Sequence, residues 1–436
     1  MDKARILAVK LLLRCEEQGY SNLVLKAALE KEQLDVRDKQ FVSALVYGTL
    51  EKQRLLDALL DLFLKKPCKK LDAPVRAILR SGLYQCRWMD GVPVFAAVNA
   101  SVELTRKFGK TSAGGMVNAV LRKAASVDVK QIRFTGEIER LGVLYNVSDS
   151  IAQMLCRAYG KDAEGILAAF EQPAPVVLRV NTLKTTPEAL IDRLQSEGID
   201  AAPAVLPDAV VLPRGGNLAA ASAFAEGLFH VQGVGSQLSA LAMEARPGET
   251  IFDLCAAPGG KSVTLAQQMQ NTGMLICGEF RENRITLLQE QLERCGITCA
   301  QVRCADASVF DETLPQADGV LCDVPCSGTG TLSKKPDIRY KDLEQNRAEL
   351  TSLQRKILET ATRYVRSGGR IIYSTCSLDP AENEDVTAQF LRENPMFVHE
   401  PLQLENIACR QCSVGTVILP QAGANDGFYI AKLRKV

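Results

Sequence analysis

From residue 248 onward, the sequence alternates short apolar runs with longer amphipathic runs. Strands are expected in the apolar runs, at residues 249–255, 274–280, 298–304, 318–325 and 370–377, and helices between or after them, at residues 261–269, 282–296, 344–365 and 382–394. Strands that alternate with helices form a parallel sheet covered by helices on both faces. The pattern therefore predicts a doubly wound α/β domain over residues 241–436, closed by a β-hairpin pair at 414–420 and 427–435. Ligands of such sheets bind at the carboxyl ends of the strands.

The part of the chain before this domain has two different characters. Apolar residues recur at helical spacing over residues 1–125, and strand-like alternation is nearly absent, which predicts an all-α domain within residues 1–140. Residues 141–240 mix predicted helices near 149–170 and 187–198 with short β-rich runs at 176–183 and 209–213, so we expect a small α+β domain there. The chain is thus predicted to have three domains.

Charge is distributed unevenly between these parts. Residues 1–140 hold 25 Lys and Arg against 16 Asp and Glu, whereas the whole chain has a net charge of only +1. A basic module on a mildly acidic remainder is typical of a domain that faces nucleic acid. A solvated helical surface with surplus lysine explains the same charge equally well, so charge alone leaves both interpretations open.

Several classes of protein are excluded by composition. With 47% apolar and 24% charged residues, the chain is neither disordered nor fibrous. No stretch approaches the ~20 apolar residues of a membrane span. The N-terminal segment is interrupted by Lys10 and Arg14 and lacks a cleavage site for a signal peptidase. We therefore expect a cytoplasmic protein without a membrane partner.

Cysteine and histidine counts narrow the possible chemistry. The chain has 14 cysteines, but its only Cys-x-x-Cys pair is Cys409 and Cys412, and its only histidines are His230 and His399. Zinc sites need clustered ligands, so we expect no metal. Catalysis by a histidine with serine or cysteine is disfavoured for the same reason. A general acid or base is then expected to be a carboxylate, a lysine or a thiol.

The first predicted strand runs into a glycine-rich turn. Its residues are Cys255, Ala256, Ala257, Pro258, Gly259, Gly260 and Lys261. A Walker A loop would need glycine six positions before its lysine, where Cys255 stands, and the dinucleotide fingerprint G-x-G-x-x-G is absent. A turn that binds S-adenosylmethionine and a plain strand-to-helix turn remain open.

Acidic side chains follow the next two strands. Glu279 ends the second strand, where a carboxylate can accept both hydroxyls of a ribose, and Asp306 follows the third, where it could accept a bond from an exocyclic amine. Solvated carboxylates are common at such positions. Three successive strand ends nevertheless share one edge of the sheet, where a single nucleoside could be held.

Two cysteines follow the remaining strands of the sheet. Cys326 lies three residues after Asp323 in DVPCSGTG, and Cys376 lies in YSTCS. Most cysteines of such proteins are inert buried thiols, since reactivity needs a setting that stabilises the thiolate. Both of these, however, follow a strand end and precede a serine, which places them in loops on a rigid scaffold beside the predicted cofactor.

At this point the sequence resembles a known family. DLCAAPGGKS, DVPCSGTG and YSTCSLDPAENE are similar to the three signature motifs of RNA (cytosine-C5) methyltransferases of the Sun/RsmB (Fmu) type. The first third resembles the NusB-like RNA-binding domain of these bacterial enzymes, in DKQF (38–41), LVYG (45–48), LRSGLYQ (79–85), AVN (97–99) and VNAVLR (117–122). The resemblance covers essentially the whole chain in order.

The resemblance implies a fold and an activity. The fold would be a NusB-like helical domain, a small α+β domain and a Rossmann-like class I methyltransferase domain. The activity would be transfer of a methyl group from S-adenosylmethionine to C5 of a cytosine in 16S rRNA, in this family commonly the one numbered 967, leaving S-adenosylhomocysteine. The substrate would be naked rRNA or an early small-subunit assembly intermediate, and we expect a monomer.

The resemblance also implies residue roles. Cys376 would add to C6 of the base, because a thiolate there makes C5 nucleophilic, and Cys326 would assist release of the product. Asp323 would bond N3 or N4 of the base and line the cofactor site. The other cofactor-binding residues would be Cys255, Ala256, Ala257, Pro258, Gly259, Gly260, Lys261, Glu279 and Asp306. Whether Lys261 lowers a thiol pKa or only packs near the motif is left open.

Two departures from the family pattern and three rival functions remain. Glu279 stands where aspartate is more frequent, which keeps the carboxylate, and Gly233 stands where an acidic residue is common. The first rival is an ATPase, which Cys255 disfavours because it stands where a Walker A loop needs glycine. The second is a non-catalytic RNA-binding factor, which the two cysteine motifs disfavour. The third is a methyltransferase for tRNA or large-subunit rRNA. Sequence does not exclude the last.

Overall fold

A computed structural model describes residues 3–18, 34–172, 175–216, 218–335 and 337–436. The chain packs as two compact units. Unit 1 comprises residues 1–153 and 335–342, and unit 2 comprises residues 154–334 and 343–436. The predicted domain boundaries at 140 and 240 stay a prediction.

Unit 1 is helical, as predicted. Its main helices are α1 (Lys3–Gln18), α2 (Val36–Glu51), α3 (Gln53–Asp61), α4 (Ala73–Trp88), α5 (Val94–Lys107), α6 (Gly114–Ala124) and α7 (Glu137–Leu144). The apolar stripe that predicted helix α3 lies in the core, where Leu56, Leu59 and Leu60 are fully buried. Because these residues recur every three or four positions, one face of the helix is apolar and packs inward.

A short segment from the C-terminal half of the sequence packs into unit 1. Within residues 335–342, Arg339 is buried and donates from Nη1 to the carbonyl of Tyr145 at 3.0 Å. The backbone N–H of Ser148 donates to the carbonyl of Arg339 at 2.7 Å, and the Tyr340 hydroxyl donates to the carbonyl of Glu51 at 2.7 Å. This segment was expected to be part of the α/β domain.

The middle part of the chain begins with two helices, α8 (Asp149–Tyr159) and α9 (Ala163–Ala169), where a single helix was expected. Gly160 separates them at a φ of +54°, which interrupts the helical backbone. The elements that follow are β1 (Val176–Val180), α10 (Pro187–Ser196), β2 (Ala202–Pro203), β3 (Ala209–Leu212), α11 (Ser222–Ala225) and β4 (Phe229–Val231). The four strands form an antiparallel sheet in the order β2-β3-β1-β4. The α+β character is as expected, but β4 was not predicted.

The remaining residues form a mixed sheet with helices. The elements are α12 (Val234–Leu241), β5 (Thr250–Asp253), α13 (Gly260–Gln268), β6 (Met274–Glu279), α14 (Glu282–Cys295), β7 (Ala300–Cys304), β8 (Ala317–Asp323), α15 (Arg347–Tyr364), β9 (Val365–Thr375), α16 (Glu384–Glu393), β10 (Phe397–Glu400), β11 (Cys409–Gln411), β12 (Thr416–Ile418) and β13 (Phe428–Lys435). The order is β11-β12-β13-β9-β8-β5-β6-β7, and β10 pairs with the far end of β13. The five strands from β9 to β7 are parallel, and the predicted hairpin pair adds antiparallel strands at one side.

The order reverses at β5, whose neighbours are β6 on one side and β8 on the other. This arrangement confirms the Rossmann-like prediction. Ligands of such sheets bind at the carboxyl ends of the strands, at the point where the strand order reverses. Within the described residues, every helix is too short or too polar to cross a bilayer.

Candidate active site

The carboxyl ends of five parallel strands bring the sequence-predicted residues to one edge of the sheet. Asp323 at the end of β8 is in register with Ser374 of β9, and Asp253 at the end of β5 is in register with Leu321. Glu279 ends β6 and pairs with Cys304 of β7. The edge is therefore continuous.

The turn after β5 depends on glycine. Gly259 precedes helix α13 at a φ of +107°, and a Cβ built there would lie 3.0 Å from Cδ1 of Leu288. Only glycine adopts this backbone conformation without strain. Asp253 is buried below the turn and accepts from the Ser262 hydroxyl at 2.7 Å. Burial raises the pKa of Asp253 to about 6, against the lowering effect of that hydrogen bond.

The two acidic residues beyond β6 and β7 differ in their surroundings. Glu279 is buried, accepts from the backbone N–H of Arg281 at 2.9 Å and pairs with Arg284 at 3.2 Å. Arg284 also donates to the carbonyl of Ala257 at 2.6 Å, which ties the glycine-rich turn to the end of β6. Asp306 is exposed and accepts from the backbone N–H and hydroxyl of Ser308.

A lysine lies between the turn and the end of β8. Nζ of Lys261 is 2.8 Å from Oδ2 of Asp323, whose other oxygen accepts from the Ser374 hydroxyl at 2.8 Å. The ammonium also lies 5.5 Å from the ring centroid of Phe428. Burial lowers the pKa of Lys261, but the paired Asp323 carboxylate outweighs burial, so the pKa is raised; negative charge on the Cys376 sulfur acts in the same direction. Lys261 therefore stays a cation.

The two cysteines are neighbours. Sγ of Cys326 is 3.3 Å from Sγ of Cys376, and both residues are partly exposed. The backbone N–H of Gly330 donates to the carbonyl of Cys376 at 2.9 Å, so the two loops are tied together. The hydrogen bond with Cys376 raises the pKa of Cys326 well above its ordinary value, and burial and two nearby carboxylates raise it further. Cys326 therefore stays a protonated thiol.

Three residues of the site were missed by sequence reasoning. Ser374 holds Asp323, as described. Glu382 is buried and accepts from the backbone N–H of Ser327 at 2.8 Å. Phe280, directly after Glu279, is 68% exposed. An aromatic residue at the end of a predicted strand was a usable signal for Phe280. Ser374 and Glu382 lie in the motif YSTCSLDPAENE, but nothing in the motif indicates what their side chains bind.

The surroundings of β5 and β6 fit a nucleoside. The edge offers carboxylate acceptors for hydroxyls and an amine, a turn that glycine keeps free of side chains, and the exposed ring of Phe280 for a flat base.

Known protein families match each of the three parts of the chain. The 16S rRNA methyltransferase RsmB/F family matches residues 240–434, the NusB family residues 2–126, and the ferredoxin-like domain of RsmF/B-like methyltransferases residues 150–219.

Full-length relatives decide the family. A probable ribosomal RNA small subunit methyltransferase B of Synechocystis is 34% identical over 100% of both chains. The chain belongs to the RsmB/F methyltransferase family. A second RsmB-type relative, the probable ribosomal RNA small subunit methyltransferase B of Bacillus subtilis, is 33% identical over 99% of this chain and 98% of its own.

A solved structure agrees with this assignment. The methyltransferase homologue protein from Pyrococcus horikoshii is 28% identical, covers 70% of this chain and 100% of its own, and superimposes with a TM-score of 0.60. This RsmB/F-type chain is an S-adenosylmethionine-dependent methyltransferase with NusB-like, ferredoxin-like and Rossmann-like parts.

Proposed function

We propose that this chain methylates C5 of a cytosine in 16S rRNA through a covalent bond between Cys376 and C6 of the base. The observation that carries the proposal is the thiol pair, Cys326 and Cys376, with sulfurs 3.3 Å apart beside the ion pair of Lys261 and Asp323. One thiol is enough for a nucleophile. A second thiol at this distance serves a reaction in which a covalent bond must also be broken.

The surroundings of the two thiols support different roles for them. Cys376 lies within electrostatic reach of the Lys261 ammonium, which favours a thiolate there, whereas Cys326 keeps its proton. Cys376 therefore attacks C6, and the S–C6 bond forms while the electron pair of the C5–C6 bond moves toward C5. Cys326 assists the later step: its proton passes to the departing Cys376 sulfur as the S–C6 bond breaks, the C5–C6 double bond reforms, and the resulting Cys326 thiolate takes up the C5 proton.

Asp323 and Lys261 hold the base during attack. The Asp323 carboxylate is fixed from both sides, by Lys261 and by the Ser374 hydroxyl, so it presents a preorganised acceptor to N4 or a protonated N3. The Lys261 ammonium can also offset negative charge that develops on the pyrimidine. Both effects increase in the transition state, which is where they accelerate the reaction.

The cofactor would lie across the carboxyl ends of β5, β6 and β7. We assign its binding to residues 255–261, with Glu279 accepting the ribose hydroxyls, Asp306 the adenine amine and Phe280 stacking on the ring. Asp323 would line the same site from the end of β8. When bound, S-adenosylmethionine supplies the methyl group that the activated C5 accepts.

Unit 1 supplies a basic surface for RNA. Between α3 and α4 it carries four exposed lysines, namely Lys65, Lys66, Lys69 and Lys70. Phosphate contacts by such side chains position an RNA without reading its sequence, and they weaken as salt increases. The target base must be unpaired or flipped out before C6 can meet a thiolate.

Family membership supports a finer substrate. The relatives from Synechocystis and Bacillus subtilis are named for the small ribosomal subunit, so we assign this chain the same RNA. The resemblance of the motifs to cytosine-C5 methyltransferases supports cytosine 967 as the target of this chain. We further propose that it acts as a monomer in the cytoplasm, on naked rRNA or an early assembly intermediate.

Mapping of 5-methylcytosine on total RNA from cells with and without this protein tests the proposal. We expect one small-subunit site to lose its methyl group and to regain it when the wild-type protein is restored, but not when Cys376→Ala is. Loss of methylation in tRNA or large-subunit rRNA instead would refute the assigned substrate. An unchanged map would refute the activity.

A further inference from the structure

Glu382 connects the two cysteine loops. It ends a short 3-10 helix, Pro380–Glu382, and is 1% exposed. Its Oε2 accepts from the backbone N–H of Ser327 at 2.8 Å and from Nε2 of Gln354 at 3.0 Å. Its Oε1 accepts from the Ser377 hydroxyl at 2.8 Å and from the hydroxyl of Ser327. All four donors are neutral groups.

These donors are the immediate neighbours of the two thiols. Ser327 follows Cys326, and Ser377 follows Cys376. On the other side of Cys326, Nε2 of Gln354 donates to the carbonyl of Pro325 at 2.9 Å. The loop is thus held directly before and directly after Cys326, and one carboxylate joins it to the residue after Cys376.

Energetics favour a positional role over a purely stabilising one. A buried carboxylate is costly to desolvate, and well-packed apolar residues give comparable stability in such places. Hydrogen bonds from neutral donors to a carboxylate are, however, short and directional. A carboxylate bonded to both loops therefore restricts their relative position more tightly than apolar packing does.

We propose that Glu382 is a positioning residue that holds Cys326 within reach of Cys376 during product release. The inference rests on the covalent mechanism proposed above, and it adds a residue that touches neither base nor cofactor. Without the carboxylate, Cys376 still attacks C6, but the Cys326 loop no longer stays beside the bond that must break.

Thiol oxidation tests the positioning directly and needs no RNA. Diamide takes one hydrogen from each of two nearby thiols and leaves a disulfide, so the rate reports how often Cys326 and Cys376 meet. Peptide mass spectrometry would follow this disulfide in full-length wild type, Glu382→Ala and Glu382→Gln. Glu384→Ala is the matched control, because that carboxylate binds Ser413 instead.

We expect Glu382→Ala to form the disulfide at least roughly tenfold more slowly, since it loses several hydrogen bonds to a charged group. Glu382→Gln keeps one acceptor oxygen and should lie between this variant and wild type, and Glu384→Ala should match wild type. Binding of S-adenosylhomocysteine should be unchanged in all of them. If Glu382→Ala does not fold, Ser327→Ala removes one of the bonds and should slow the reaction in the same direction.

Product release tests the consequence. On denaturing gels, Glu382→Ala should accumulate the RNA adduct expected of Cys326→Ala, and the double variant should accumulate no more than Cys326→Ala alone. The inference would be overturned if Glu382→Ala formed the disulfide at the wild-type rate. It would also be overturned if Glu382→Ala formed the disulfide slowly but gave no RNA adduct under conditions in which Cys326→Ala gives one. If Cys326→Ala itself gives no adduct, the proposed mechanism fails, and the oxidation rates alone decide whether Glu382 positions the thiols.

Discussion

Sγ of Cys326 lies 3.3 Å from Sγ of Cys376, so the two thiols share one site. Negative charge on Cys376 acts on the Lys261 ammonium, and two nearby carboxylates help to raise the pKa of Cys326. We propose that these neighbours make two chemically identical side chains unequal in the reaction. The difference can be tested one cysteine at a time.

Replacing either cysteine should give a distinct product. Cys376→Ala should abolish methyl transfer, because the S–C6 bond cannot form. Cys326→Ala should still attack and methylate but fail to release, so a protein–RNA adduct should survive denaturing electrophoresis. The double variant should give no adduct. An adduct in Cys376→Ala and none in Cys326→Ala would show that the roles are exchanged, and full activity in both would show that the thiols are structural.

The acidic residues of the cofactor site should contribute unequally. Glu279→Ala removes a buried, oriented carboxylate and should weaken binding of S-adenosylhomocysteine about tenfold or more, whereas exposed Asp306→Ala should cost less. Isothermal titration calorimetry would give both Kd values. Glu290→Ala, which removes an exposed carboxylate on helix α14, is the control. An unchanged Kd in Glu279→Ala would place the ribose elsewhere.

His230 should make stability depend on pH. Burial lowers its pKa from 6.5 to about 4, so the unfolded chain binds a proton that the folded chain refuses. The contribution of neutral His230 to the free energy of unfolding is fully present above the pKa that His230 has in the unfolded chain. The contribution is lost as the pH falls toward the pKa that His230 has in the folded chain. Replacing His230 with glutamine should therefore destabilise the protein by about 2 kcal/mol less at about pH 5 than at about pH 7.5.

Urea unfolding followed by circular dichroism would measure the free energy of unfolding of wild type and of His230→Gln at both pH values. Because the only tryptophan, Trp88, belongs to unit 1, its fluorescence would not report on His230. Packing lost in the glutamine variant cancels in the difference between pH values, and His399 titrates in both proteins. A cost independent of pH would show that His230 is not held neutral.

Deleting residues 1–140 should leave a protein that binds cofactor but methylates rRNA poorly at physiological salt, because the basic surplus lies there. The deletion also removes Glu51, to which Tyr340 donates, so Ile338 and its neighbours lose their packing. A second truncation that also carries Ile338→Ser and Tyr340→Ser should be more soluble. Cofactor titration and methylation assays would compare the two, and full activity in either would refute the RNA anchor.

Much of the fold was predictable because its signals are local. The apolar runs of the sequence predicted β5, β6 and β8 to within a few residues of their observed bounds. The strand β4 was missed because it has only three residues, Phe229–Val231, and its pairing with β1 is distant in sequence. Gly160 was also missed as a break, since glycine inside an apolar helical pattern is often tolerated.

The site was predictable only where position along a strand determines it. Glu279 and Asp323 stand at strand ends, so topology alone brings them to one edge. Other side chains act through contacts with residues 28 to 55 positions away in the sequence, and no local pattern predicts such contacts. These side chains are Ser374, Glu382 and Gln354. The quoted motif YSTCSLDPAENE contains Glu382, but it does not say what the side chain binds.

The packing of residues 335–342 into unit 1 bears on how such a chain can change over evolutionary time. A recombination event that exchanges only the 5′ part of the gene would join a foreign helical domain to a native segment that was shaped for another surface. Arg339, Tyr340 and the carbonyl of Glu51 must then be matched again by later substitutions. The two units of this protein are therefore inherited more readily together than as interchangeable modules.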